Sequence, residues 1–159
     1  MDHEYRQHQF VVPPDATEVV LARHGASLPV RPGEVFPLLH GHGDPLALRV
    51  IAEERWDLIP GAETMESLAA RVKSGLEKAV AATGPGNVAV VFVHGGVIGE
   101  ACRQATGSRP FAFVMNDNCS LTRLVRFADG RWLLRSFNDT SHLSPRARSD
   151  RSPSAGRAG

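Results

Sequence analysis

Residues 18–25 read EVVLARHG and residues 87–96 read NVAVVFVHGG. Each is a short apolar run, rich in β-branched residues, that ends in a histidine followed by glycine. Runs of this length and composition predict buried strands. The second, which does not alternate with polar residues, reads as a strand covered on both faces. As parallel neighbours, the two strands would deliver His24 and His94 to the carboxyl edge of one sheet, where α/β folds bind ligands. Gly25 and Gly95 let the backbone approach such a ligand closely. The helix that opens after His94 would offer free N–H groups to an anion. Arg23, beside His24, can add a charge-assisted fork to a phosphoryl group. Two imidazoles, a guanidinium and a helix N-terminus together describe a phosphoryl pocket.

Working outward, residues 46–56 (LALRVIAEERW) suit a short helix ended by the Ile59-Pro60-Gly61 turn. Met65, Leu68, Ala69, Val72, Leu76, Ala79 and Val80 form one apolar stripe at helical spacing. Glu63 and Glu66 complement the N-terminal dipole of that helix, and Gly84-Pro85-Gly86 stops it. A further helix is expected over 97–106, before Gly107. Residues 120–127 and 131–137 alternate and are joined by Ala128-Asp129-Gly130, a hairpin signal. The order β-α-α-β-α-β-β predicts a layered α/β/α sandwich around a mostly parallel sheet. Residues 1–16 read as a flexible lead-in, 17–143 as the domain, and 144–159 as a disordered Arg/Ser/Pro tail. Glycines and prolines crowd residues 24–45 and exclude helix there; an ordered loop of that length is usually functional.

The 159 residues suffice for one domain with a real core. The net charge is +1, and without residues 145–159 (four Arg, one Asp) it becomes −2, as 14 basic against 16 acidic residues. Such a balance draws in neither nucleic acid nor an anionic membrane. The tail's arginines lack interleaved aromatics and make a poor nucleic-acid footprint. Two cysteines, Cys102 and Cys119, are too few for a disulfide framework and lack metal spacing. The polar start MDHEYRQHQF is unlike a signal peptide, so a reducing cytoplasm is expected.

Several segments carry a family likeness. EVVLARHGAS resembles the signature of the histidine phosphatase (phosphoglycerate mutase-like) superfamily, and VAVVFVHGGVIGE resembles its second histidine motif. ERWDLIPGAETMESLAARV resembles the stretch leading into the intervening helix; NDNCSLTRL and RWLLRSFNDTSHL resemble the closing strands. The likeness runs over residues 17–143 and implies an abridged phosphoglycerate mutase-like fold. It implies His24 as the nucleophile that becomes phosphohistidine. It implies Arg23 as a phosphate clamp, and His94 as the group that stabilises charge on the phosphoryl oxygens. The amides of Gly25 and Gly95 would line the same pocket. A small phosphorylated substrate and no cofactor follow from the same likeness. Three activities stay open: phosphomonoester hydrolysis, non-catalytic binding of phosphate or a protein, and mutase-type phosphoryl transfer.

The family's second phosphate-binding arginine and its acidic proton donor match nothing between residues 28 and 60, as though a segment were deleted. Glu34 is a weak substitute for the acid, and Arg31 or Arg49 for the arginine; all three suit a solvated surface better. Losing a general acid costs about 10²–10⁴-fold in rate, and losing a clamp donor about 10²–10³-fold. Missing layers would also uncover part of the sheet and favour a homodimer. His40-Gly41-His42-Gly43-Asp44 has the look of a metal motif, but Pro45 stands where another ligand is needed, so no metal is expected. His142 suits packing or capping.

Overall fold

The computed structural model of the chain describes residues 9–25 and 45–143. Arg31, Glu34, His40, His42, Asp44 and the 144–159 tail lie outside the described residues, as does the first half of the lead-in, residues 1–8. In chain order the elements are β1 (Thr17–Arg23), α1 (Pro45–Glu53), α2 (Met65–Thr83), β2 (Val88–Val93), α3 (Gly95–Thr106), β3 (Leu121–Arg126) and β4 (Trp132–Asp139). Short 3₁₀ turns occupy Trp56–Leu58 and Ser141–Leu143.

The strands lie in the order β2-β1-β3-β4. β1 and β2 are parallel, from Glu18 opposite Val88 to Arg23 opposite Val93. β3 is antiparallel to β1, and β4 to β3. The layered α/β architecture is as expected, but the sheet is mixed rather than mostly parallel. β3 itself enters antiparallel beside β1, and the tight turn over residues 127–131 makes β4 antiparallel to β3, because a parallel return needs a long crossover. Here the helices between β1 and β2 supply one.

Alternation along β1 turns Val19 and Leu21 toward α2 and α3. They meet Leu68, Val72 and Leu76 of α2, Ile98, Ala101 and Cys102 of α3, and Leu124 of β3 in one core. α2 begins where the Thr64 side chain accepts a hydrogen bond from the Ser67 amide at 3.1 Å. Its last turn ends at Gly84, whose φ of 75° lies in the left-handed region. α3 starts two residues earlier than expected. The amides of Val97 and Ile98 both donate to the His94 carbonyl, so Gly95 and Gly96 are drawn into the first turn.

The other face of β2 departs from the expectation of cover on both sides. β2 is an edge strand, and Val88, Val90 and Phe92 are exposed, Phe92 to 78%. The helices pack against the alternate residues Ala89, Val91 and Val93. Among the described residues, no helix is long and apolar enough to cross a membrane.

One carboxylate is buried under α3. Glu100 is held by a two-pronged ion pair from Arg103, at 2.7 and 2.8 Å, and by Gln104 Nε2 at 2.7 Å. Gln104 also donates to the Ala69 carbonyl, tying α3 to α2. Burial pushes the Glu100 carboxyl up, but the hydrogen bonds from Arg103 and Gln104 outweigh it and hold the group below its ordinary value of 4.5. A depressed acid stabilises the fold above that ordinary value and loses its contribution as pH falls through the folded value. The stability difference between wild type and Glu100→Gln should therefore shrink on acidification below pH 4.5. A difference constant from pH 7 to pH 3 in urea melts would contradict this. In the same melts Leu124→Ala, at a site with no exposure, should cost about 2–5 kcal/mol.

Candidate functional site

The parallel register fixes the site. With Arg23 opposite Val93, the next residues on both strands are histidines at the same height of the sheet. The His24 amide donates to the Val93 carbonyl at 3.2 Å, and the Cys119 amide donates to the His24 carbonyl at 3.3 Å. The end of β1 is thus held from both sides. His24 Nε2 and His94 Nδ1 lie 2.8 Å apart, with ring centroids 4.4 Å apart in an edge-to-face arrangement. Such a pair shares one hydrogen, so one of these nitrogens offers a lone pair.

Arg23 Nη1 donates to the Asn116 backbone carbonyl, while its Nε is buried without a partner. Gly95 and Gly96 stand in the first turn of α3, where N–H groups have no intrahelical acceptor. These groups border a cleft of about 360 Å³. The structure thus brings Arg23, His24, His94 and Gly95 together around one space. Gly25 follows His24 in the chain but is not among the cleft's lining residues, and a side chain there would meet Cys119 Sγ at 3.6 Å. A larger cleft of about 520 Å³ lies between α2, α3 and the hairpin, lined by Lys73, Arg103 and Trp132. It holds neither histidine.

Sequence reasoning missed Trp56, Gly96, Val114 and Asn118, which complete the lining of the histidine cleft. Trp56 stands on its 3₁₀ turn, packed on Phe111 at 4.7 Å between ring centroids. Its amide donates to Met65 Sδ at 3.4 Å, which ties it to the start of α2. Asn118 sits in a loop braced from β4. Asn138, with a left-handed φ of 56°, accepts from the Asp117 amide at 2.6 Å and donates to the Asp117 carboxylate at 2.8 Å. The Asn116-Asp117-Asn118 run at a strand entry is a turn signal that could have marked this loop.

Other candidates fall elsewhere. Arg49 is exposed and paired with Glu53 at 3.0 Å, so it is engaged along α1. His142 is exposed on the last 3₁₀ turn, outside the cleft lining. Among the described residues no cluster of three or more His, Cys, Asp or Glu could hold a metal. Among the described residues, no carboxyl group lines the cleft.

The fold and site together define an α/β protein with a two-histidine, one-arginine cleft at the carboxyl edge of its sheet. The family model for the histidine phosphatase superfamily (branch 1) matches residues 40–140. That stretch includes His94 and begins after Arg23-His24-Gly25. The chain belongs to the histidine phosphatase superfamily. Among solved structures, it is similar to a phosphoglycerate mutase from Bacillus anthracis str. Sterne, at 28% identity and a TM-score of 0.47. The match covers 55% of this chain and 39% of that one, so the chain spans well under half of that protein's length. No curated protein matches the chain.

The two thiols beside and behind the site differ in reactivity. Burial pushes the Cys102 thiol up to about 12, whereas Cys119 is exposed. Iodoacetamide at pH 8 should therefore alkylate Cys119 and spare Cys102 in the folded protein. Peptide mass mapping reads this directly, and equal labelling would contradict the burial.

Proposed function

We propose that the chain hydrolyses a small phosphomonoester through a phosphohistidine on His24. The observation that carries this reading is the 2.8 Å contact of His24 Nε2 with His94 Nδ1, beside Arg23 and the start of α3. With His94 Nδ1–H as donor, the single lone pair of His24 Nε2 is held in this hydrogen bond until an entering phosphoryl group displaces it and takes the His94 Nδ1–H on one of its oxygens. His24 Nε2 then attacks phosphorus in line, forming the P–N bond as the ester P–O bond breaks. Negative charge on the phosphoryl oxygens is met by the Arg23 guanidinium, the α3 amides and His94. The departing oxygen takes its proton from water. A second water then attacks phosphorus, the P–N bond breaks, and inorganic phosphate leaves with His24 restored.

Among the described residues no carboxyl group lines the cleft, and this reading carries a kinetic consequence. Without a positioned acid, leaving groups that depart as stable anions are favoured, by about 10²–10⁴-fold in the acid's usual contribution. Para-nitrophenyl phosphate should turn over much faster than an alkyl phosphate, and His24→Ala should abolish both reactions. Turnover unchanged in His24→Ala would overturn the proposal. The lack of a carboxyl group among the described lining residues and the engagement of Arg49 with Glu53 favour one second reading, a phosphate-binding protein that does not hydrolyse. It predicts vanadate binding without phosphate release. The two free cysteines fit a cytoplasmic setting.

A further inference from the structure

Asn116 is buried to 7% exposure, and it does not line the cleft. Its side-chain amide nitrogen nevertheless faces three backbone carbonyls: Gly95 at 3.2 Å, Val114 at 3.3 Å and Phe113 at 3.5 Å. Its own backbone carbonyl accepts from Arg23 Nη1. One residue therefore touches both the guanidinium and the first turn of α3.

Two orphan atoms mark the same spot. Asn116 Oδ1 and Arg23 Nε are both buried without a partner, which is rare for polar atoms. A side chain at Gly95 would lie 3.0 Å from that oxygen and 3.6 Å from that nitrogen. An unpaired acceptor and an unpaired donor thus flank one glycine at the entrance to α3. The three carbonyls fix the orientation of the amide and leave its oxygen on the Arg23 side.

We propose that Asn116 is a positioning residue for the phosphoryl clamp, holding Arg23 and the N-terminus of α3 in one relative geometry. The inference rests on the phosphoryl reading of the cleft. It adds that affinity for a phosphoryl group depends on a residue that never touches it, because small displacements of clamp donors cost large factors. It also gives the reason for glycine at position 95, since any larger residue would press on Oδ1.

The test measures orthovanadate binding by calorimetry on the full chain, well below each variant's melting temperature. Asn116→Ala should weaken binding about tenfold, the size expected for losing one or two buried hydrogen bonds. Leu124→Ala serves as a control, destabilised through the core with its vanadate affinity unchanged. Should Asn116→Ala fail to fold, Asn116→Ser keeps a small donor and should bind with intermediate affinity. Wild-type affinity in the Asn116 variants overturns the inference alone. Equal weakening in Leu124→Ala also overturns it, because binding then follows stability. A wild-type protein that binds no vanadate overturns the phosphoryl reading itself, and the inference with it.

Discussion

The parallel pairing of β1 with β2 is the constraint on which the rest depends. Successive residues of a strand advance by about 3.3 Å, so a slip of one residue would separate His24 from His94 by that distance. The same slip would turn one strand's inward residues outward. The core forbids it: Val19, Leu21 and Ala89 must all face the helices for α2 and α3 to bury their stripes. Hydrophobic packing on one side of the sheet thereby fixes a distance of 2.8 Å at its edge. The chemistry of the cleft is a consequence of registry.

Registry alone does not complete the site. Its remaining walls come from chain far away in sequence, and each is braced separately. Trp56 is carried on a 3₁₀ turn between α1 and α2, against Phe111 of the segment after α3. Asn118 belongs to the loop before β3, and Asn138 of β4 holds that loop through Asp117. α3 itself is pressed against this segment. A side chain at Gly99 would meet the Phe113 carbonyl at 3.1 Å, so the close approach requires glycine. Four stretches of chain thus meet around two histidines, with hydrogen bonds rather than a shared element fixing their positions.

Electrostatically the site is lopsided. Arg23 is the cation of the cleft lining, and the first turn of α3 supplies partial positive charge. Among the described residues nothing acidic lines the space. Such an arrangement gathers positive charge on one side of the cleft. The buried carboxylate of Glu100 lies further along α3, where Arg103 and Gln104 neutralise and orient it. Its role there is to tie α3 to α2, which keeps the helix N-terminus aimed at the cleft.

The two strand-histidine-glycine phrases carried most of what was legible. They announced the strands, their carboxyl ends and the candidate residues Arg23, His24 and His94, because apolar composition and glycine placement are local properties. The seven main elements appear in the expected order, and the α2 stripe is buried at Leu68, Val72 and Leu76. What escaped the sequence were relations between distant residues. That β3 enters beside β1, making the sheet mixed, is decided by where a returning chain finds an open edge. That β2 shows Phe92 to solvent depends on which layers cover it, and an apolar run looks alike covered or bare. Asn116 and Asn118 gave only a turn signal, since a side chain's partners 20 or more residues away leave no periodic trace. The sequence by itself determined which candidate residues, Arg23, His24 and His94, stand at the strand ends. Only the tertiary structure decided that they meet, because a contact of 2.8 Å between residues 70 apart is set by strand registry and core packing.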